Sequence, residues 1–177
     1  MTPQINPTNR LWACLSPLTS LHACELFDLT RENRSHLRTW LPWADHIAAV
    51  QDTEKFVRTA LEKVASGTEL HYIVTSEGRA AGVVSVIDIE LGSGTVGYWI
   101  GQPFEGKGYM TAAVQEVKRI CFQEKGFTHL NLEYLQGNTR SARVAARCGF
   151  LPIATIKGGA MLHGQTLDRI INRCHRS

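Results

Sequence analysis

Several features are scarce in this 177-residue chain, and each scarcity excludes a class of protein. No stretch approaches the roughly 20 consecutive apolar residues that a membrane-spanning helix needs, so we expect no membrane partner. The first charged residue is Arg10, and Pro3 and Pro7 interrupt the N-terminal region, so we expect no signal peptide. The five cysteines and seven histidines are scattered, without Cys-x-x-Cys or metal-ligand spacing. These patterns predict reduced thiols in a cytoplasmic protein without a metal site.

An excess of positive charge is also lacking. The formal net charge is +3, from 19 Lys and Arg residues against 16 Asp and Glu residues. Nucleic-acid-binding domains usually carry a strongly basic stripe, so no nucleic-acid partner is expected. Arg140, Arg143 and Arg147 are an exception, because intervals of three and four residues place them on one helical face. That face is either solvated or an anion-binding surface.

The first part of the chain has helical periodicity. A strand is predicted over Arg10–Leu15. Apolar residues at helical intervals then predict helices over Leu18–Leu29, Glu32–Trp40 and Thr53–Ala65. Pro42 stops the second helix and Gly67 follows the third.

The pattern then changes to strands. Leu70–Thr75, Ala81–Ile89 and Thr95–Gly101 are rich in Val, Ile, Tyr and Trp and are separated by short turns, which predicts strands joined by hairpins. Gly108–Lys125 carries an apolar stripe with charged residues on the opposite side, and Gly126 ends this predicted helix.

The remaining elements complete the predicted order β-α-α-α-β-β-β-α-β-α-β-β. They are a strand over Leu130–Leu135, a helix over Thr139–Cys148 and strands over Phe150–Ile156 and Thr166–Asn172. The length suits one domain over residues 1–177. We therefore predict an α/β (α+β) fold, with a mixed sheet covered by helices on both faces.

The strongest chemical signal is the segment from Phe104 to Thr111, between a strand and the long helix. Its two glycines, Gly106 and Gly108, let the backbone approach a ligand closely. The following helix N-terminus carries partial positive charge, and Lys107 adds a cation. A nucleoside triphosphate loop and a dinucleotide loop both need glycines or Ser/Thr residues that this segment lacks. The segment predicts a pyrophosphate site, or else a tight turn without a ligand.

Further motifs flank this loop in a recognisable order. They are Gly97-Tyr98-Trp99-Ile100, Glu105-Gly106-Lys107-Gly108 and Asn138-x-x-Ser141-x-x-Val144-Ala145-x-Arg147-x-Gly149-Phe150, with Leu37–Trp43 upstream and His163–Asp168 downstream. With them the chain resembles the GNAT superfamily of N-acetyltransferases, and within it the RimJ/RimL branch of ribosomal-protein N-terminal acetyltransferases. The resemblance covers nearly the whole chain.

The resemblance implies a GNAT fold with a mostly antiparallel sheet, in which the strand over Thr95–Gly101 splays from the strand over Leu130–Leu135. Acetyl-CoA would bind in the resulting slot as acetyl donor. Its pantetheine arm would pair with the open strand edge, and its pyrophosphate would bind the loop amides. The implied cofactor-binding residues are Trp99, Ile100, Gly106, Lys107, Gly108, Tyr109, Met110, Thr111, Asn138 and Ser141.

The implied reaction is direct attack of a primary amine on the thioester, without an acyl-enzyme. It needs an oxyanion donor and a proton for the leaving thiolate. A backbone N–H near Ile100 is the candidate donor, and Ser141 or Tyr134 is the candidate acid. Asn138 and Ser141 have structural alternatives, because they also suit the N-cap and N3 positions of a helix. The structural alternative for Tyr134 is packing in the core.

No general base stands out. Glu69, His71, Asp88, Glu133 and water all remain candidates. An α-amino group has a pKa near 8, so roughly a tenth is neutral at pH 7, whereas a lysine side chain is neutral only about four times in ten thousand. The missing strong base therefore favours an α-amine acceptor.

The acceptor side would lie over the N-terminal helices. Trp40, Trp43 and Phe56 fall there and either pack in the core or contact substrate. Some acetyltransferases of the resembled branch hold the base of a toxic aminoacyl nucleotide between two aromatic residues spaced like Trp43 and Phe56. The resemblance also allows the arginine-bearing helix face to attract the 3′-phosphate of the cofactor.

Three functions are therefore compatible with the sequence. The first is acetylation of a protein N-terminus, such as that of a ribosomal protein. The second is acetylation of a small molecule or a toxic aminoacyl nucleotide. The third is a non-catalytic acetyl-CoA-binding regulatory module. A monomer and a homodimer are both compatible with the sequence.

Overall fold

The computed structural model describes residues 14–176. In this range seven strands form one mixed sheet. The strands are β1 (Cys14–Pro17), β2 (Leu70–Ser76), β3 (Arg79–Glu90), β4 (Ser93–Ile100), β5 (His129–Leu135), β6 (Leu151–Leu162) and β7 (Gln165–His175). Their spatial order is β1-β2-β3-β4-β5-β7-β6, in which β4 and β5 are parallel and the other neighbours are antiparallel.

Helices cover both faces of this sheet, as predicted. They are α1 (Ala23–Glu32), α2 (Arg34–Leu37), α3 (Val50–Ala65), α4 (Tyr109–Arg119) and α5 (Thr139–Arg147). Helices α4 and α5 contribute to the core on one face, and α1 and α3 contribute to the core on the other. Within the described residues, none of the helices is long and apolar enough to cross a membrane.

The alternation of side chains along the strands builds both cores. In β2, Ile73 packs with α1 and α3, whereas its neighbour Val74 packs with α4. In β4 and β5, Val96 and Leu132 are 2% and 0% exposed on the α4 side. Burial on both faces explains why the central strands are so apolar, and it leaves few positions there for polar side chains.

The N-terminal elements differ from the predictions at their boundaries. Residues 10–13 of the first predicted strand lie outside the described range, and β1 continues to Pro17. The predicted helix Leu18–Leu29 begins as a 3₁₀ turn at Ser20–His22 before α1 continues to Glu32. The predicted helix Glu32–Trp40 is reduced to α2, since Pro42 opens a separate 3₁₀ turn that the sequence did not indicate.

The C-terminal half also differs in detail. The predicted helix Gly108–Lys125 is α-helical only to Arg119 and continues as a π-helix over Ile120–Glu124. The hairpin of β6 and β7 is longer than predicted, because the strands continue past an irregularity between Ile156 and Ala160. Two glycines in that interval made the sequence resemble a strand end.

Candidate active site

The two parallel strands separate halfway along their length, as the resemblance to the GNAT superfamily implied. Strands β4 and β5 pair from Ser93 with His129 to Val96 with Leu132, and the pairing stops there. Strand β4 continues to Ile100 and β5 to Leu135 without pairing with each other. The slot between the strands therefore begins at Gly97 and Glu133, and it leaves the backbone of Trp99 and Ile100 available to a ligand on this side.

A cavity of about 540 Å³ occupies this slot. Most of the predicted site residues line it, from both sides of the sheet and from the predicted phosphate-binding segment Phe104 to Thr111, called the phosphate loop below. They are Trp40, Trp99, Ile100, Gly106, Gly108, Tyr109, Met110, Thr111, Tyr134, Asn138 and Ser141. Lys107, Trp43 and Phe56 do not line this cavity.

The phosphate loop has the backbone conformation that its glycines permit. Gly106 and Gly108 have φ angles of 71° and 85°, in the left-handed region where other residues are strained. A Cβ atom at either position would meet nothing within 4 Å, so the loop surface is open. Gly108 is the N-cap of α4, and the first residues of that helix, whose amides have no partner within the helix, line the cavity. Arg143 and Arg147 line the same cavity and add positive charge.

A pair of hydroxyl groups lies on the α4 and α5 side of the slot. The Tyr98 hydroxyl is 2.7 Å from the Ser141 hydroxyl. Burial raises the pKa of Tyr98 to about 12, although the hydrogen bond with Ser141 opposes this shift. Tyr98 therefore remains protonated at neutral pH and can donate to Ser141. From the sequence, Tyr98 was only part of a motif, because nothing local indicates a contact across 43 positions.

Asn138, at the start of α5, caps the helix with its side-chain oxygen and keeps its NH₂ group available for a ligand. The Asn138 side-chain oxygen accepts from the Ser141 backbone N–H at 3.1 Å, so Asn138 is the N-cap. The NH₂ group at the other end of this amide can still donate to a ligand. Tyr134 packs against the α4-side core and also lines the cavity.

Two of the predicted acceptor residues, Trp43 and Phe56, lie on the opposite, α1 and α3, side of the sheet. Trp43 contacts Trp99 edge-on, with ring centroids 5.8 Å apart, and Phe56 contacts His71 at 6.0 Å. Trp43 and Phe56 are 37% and 42% exposed, so neither is a core residue. Trp40 reaches the cavity beside Gly137.

The candidate bases have different environments. Asp88 is exposed and does not line the cavity. Glu133 lines it and pairs with Arg169 at 3.3 Å. Glu69 and His71 are buried and hydrogen-bonded to each other at 2.6 Å.

The cysteine chemistry agrees with a mechanism without an acyl-enzyme. Burial raises the pKa of Cys121 to about 12 and that of Cys148 to about 11, so both thiols stay protonated and unreactive. Cys24 and Cys174 are also free cysteines. Neither lines the cavity. No cluster of three or more His, Cys, Asp or Glu side chains that could hold a metal ion occurs within residues 14–176.

Comparisons with known proteins agree with this geometry. The profile of the acetyltransferase (GNAT) domain family matches residues 13–151. The chain is 26% identical over 149 residues to the putative ribosomal N-acetyltransferase YdaF of Bacillus subtilis (strain 168), covering 82% of this chain and 81% of the relative. It is 25% identical over 144 residues to the ribosomal-protein-serine acetyltransferase of Escherichia coli (strain K12), covering 80% of each.

Solved structures share the fold at lower sequence identity. One is RimL, a ribosomal L7/L12 alpha-N-protein acetyltransferase in complex with coenzyme A, with a TM-score of 0.88, 23% identity and coverage of 91% of this chain and 92% of that one. Another is the microcin C7 self-immunity acetyltransferase MccE in complex with acetyl-CoA and AMP, with a TM-score of 0.86, 23% identity and 91% coverage of each chain. The chain therefore belongs to the GNAT acetyltransferase family and is an acetyl-CoA-dependent N-acetyltransferase.

Proposed function

We propose that this enzyme acetylates the α-amino group of a protein N-terminus, such as that of a ribosomal protein, by direct attack in a ternary complex. The observation that carries the proposal is the opening between β4 and β5. It connects a phosphate-binding loop and a hydroxyl pair on one face of the sheet with an aromatic surface on the other. The two substrates can therefore meet from opposite faces.

The residues on the α4 side fit the acetyl donor. The open amides from Gly106 to Thr111 suit a pyrophosphate, and Arg143 and Arg147 suit a further phosphate. The unpaired edge at Trp99 and Ile100 suits an extended amide-bearing arm. Acetyl-CoA, when bound, supplies an activated acetyl group on a thioester.

The hydroxyl pair supplies the acid. Ser141 donates its proton to the leaving thiolate, and Tyr98 then donates to Ser141 through the hydrogen bond between them. Tyr134, on the same side of the cavity, is the alternative donor. The backbone N–H near Ile100 stabilises the negative charge that develops on the carbonyl oxygen.

Three observations favour an α-amine acceptor. An α-amino group is partly neutral at pH 7, whereas a lysine side chain is almost fully charged. The relatives include enzymes named for acetylating serine or alanine of ribosomal proteins. The acceptor face presents the exposed rings of Trp43 and Phe56, which suit contact with an extended chain. Such substrates would place the reaction in the cytoplasm.

The proposal is tested by following thiol release from acetyl-CoA against a panel of amines. The panel contains peptides that begin with Ser or Ala, the same peptides with a blocked N-terminus and one internal Lys, polyamines, free amino acids and an aminoacyl sulfamoyl adenosine. We expect turnover of the peptides with a free N-terminus. Turnover confined to the nucleotide and lost in Trp43→Ala would assign the detoxifying activity. Acetyl-CoA binding without turnover of any amine would contradict the proposal.

A further inference from the structure

A buried chain of hydrogen bonds crosses the acceptor face of the sheet. The Ser85 hydroxyl lies 2.7 Å from Nδ1 of His71, and Nε2 of His71 lies 2.6 Å from one carboxylate oxygen of Glu69. Lys63 in α3 donates to the other oxygen at 2.6 Å. Glu69 and His71 are only 8% and 6% exposed. Burying such groups costs free energy unless each one is hydrogen-bonded. This hydrogen-bond network therefore costs more free energy than apolar contacts between the same two strands would.

The direction of the hydrogen bonds follows from the charge on Glu69. Burial acts to raise the pKa of Glu69, but the hydrogen bonds from Lys63 and His71 outweigh it and hold the pKa below its ordinary value. A carboxylate only accepts hydrogen bonds, so Nε2 of His71 carries the hydrogen. In the neutral imidazole Nδ1 of His71 then has no hydrogen, so it is the acceptor and the Ser85 hydroxyl donates to it. A proton can pass from Ser85 to His71, where Glu69 stabilises the imidazolium.

The Ser85 end of this hydrogen-bond network lies beside the slot. Ser85 pairs in register with Gly97, the residue at which β4 separates from β5. Paired positions have Cβ atoms about 5 Å apart on the same face, but Gly97 has no side chain to cover its neighbour. A Cβ atom at Gly97 would meet nothing within 4 Å, and Gly97 lines the cavity. Ser85 does not itself line the cavity, but its neighbour across the strands is the open position at Gly97, which does, on the acceptor side of the slot.

We propose that Ser85 accepts the proton of the attacking amine and passes it to His71, with Glu69 as a positioning residue. This inference rests on the proposed acetyl transfer to an amine. The amine proton bonds to the Ser85 oxygen as the Ser85 proton moves to Nδ1 of His71. The nitrogen keeps the electron pair of its broken N–H bond and forms the C–N bond to the acetyl carbon. The C–S bond breaks, and the thiolate takes its proton from the opposite face of the sheet.

The surroundings of His71 support this direction of transfer. The carboxylate of Glu69 contacts its ring, and Lys63 contacts the other oxygen of that carboxylate. The Phe56 ring covers an edge of the imidazole, at 6.0 Å between centroids. The base and the proposed acid, Ser141, lie on opposite faces of the sheet, so their protons do not compete.

The test compares variants on two acceptor peptides as a function of pH. One peptide begins with serine, and the other begins with trifluoroalanine, whose fluorines lower the amine pKa. Ser85→Ala and His71→Gln should each lower kcat/KM for the serine peptide by about 100-fold at pH 7. The loss should fall below about 10-fold for the fluorinated peptide, or at pH 9.5, because those amines are already neutral in solution. The KM for acetyl-CoA should not change.

Matched variants separate this proton transfer from a structural effect. Ser85→Thr keeps the hydroxyl and should recover most of the activity, whereas Ser93→Ala and His129→Gln, in other parts of the sheet, should behave like the unchanged enzyme. Equal losses with both peptides at every pH would overturn the inference and leave a structural network. An acetyl group found on Ser85 after the reaction is stopped with acid would overturn the inference, because it would show that Ser85 is acetylated covalently. A pH-dependent loss in Glu133→Gln but not in His71→Gln would transfer the role to Glu133. An absence of turnover with every amine would overturn both this inference and the proposed function.

Discussion

The hydroxyl groups of Tyr98 and Ser141 lie 2.7 Å apart and join β4 to α5 across 43 positions of the sequence. The contact places a proton donor behind the residue proposed as the acid. It also links the strand that borders the slot to the helix that closes the cofactor side. Changes at either residue should therefore affect the chemical step more than the affinity for acetyl-CoA.

Ser141→Ala should lower kcat by about 100-fold with the KM for acetyl-CoA little changed, because it removes the proton donor. Tyr98→Phe should have a smaller effect. The double variant should be no slower than Ser141→Ala alone, since the two hydroxyls act in series. Steady-state kinetics of the four proteins measure this coupling, and additive losses would contradict the shared proton path.

Stability at alkaline pH should also report on Tyr98. A buried Tyr whose pKa is raised from 10.0 to about 12 contributes stability that is fully present below pH 10 and is lost as pH rises towards 12. From pH 9 to pH 11 the wild-type free energy of unfolding should fall by about 1 kcal/mol more than that of Tyr98→Phe. Urea unfolding at the two pH values gives this difference. Parallel pH profiles of the two proteins would show that Tyr98 ionises normally.

Asn138→Asp should separate the cap of α5 from cofactor binding. Asp is as good an N-cap as Asn, so the melting temperature should stay the same within about 2 °C. The substitution removes the NH₂ donor and places a negative charge at the cavity, so the KM for acetyl-CoA should rise roughly tenfold. If Asn138→Asp keeps its KM while Asn138→Ala only loses stability, the residue is a cap and nothing more.

The phosphate loop offers a comparison of two glycines with similar conformations. Gly106 and Gly78 have φ angles of 71° and 76°, and a Cβ atom added at either residue would have no neighbour within 4 Å. Alanine at either site should cost about 1–2 kcal/mol of stability through backbone strain. Gly106→Ala should in addition raise the Kd for coenzyme A, measured by calorimetry, while Gly78→Ala should not. Equal affinities would show that the loop amides do not bind the cofactor.

Local sequence patterns predicted the order of the elements and the loop, because these depend on periodicity and on glycines at fixed positions. The strand ends around Gly158 could not be predicted, since the hairpin continues through an irregularity in which the Gly158 N–H donates to the Asp168 side chain of the neighbouring strand at 3.0 Å. The contact between Tyr98 and Ser141 needs the register of the sheet and the position of α5. Glu69 directly precedes β2 and His71 lies two positions further on, which puts both on one face of an extended chain, so the sequence could have predicted their pairing. Ser85 becomes their partner only through the β2–β3 register.

The separation of β4 and β5 at Gly97 leaves an opening through the sheet, which affects the order of substrate binding. With the two substrates on opposite faces, as proposed, neither would block the entrance of the other, so affinity and not access would set the order in which they bind. Each product would then leave by the face through which its precursor entered. A conjugate of coenzyme A and a peptide would have to pass through this opening to occupy both faces. The shortest linker that still allows tight binding would therefore measure the thickness of the sheet at this point.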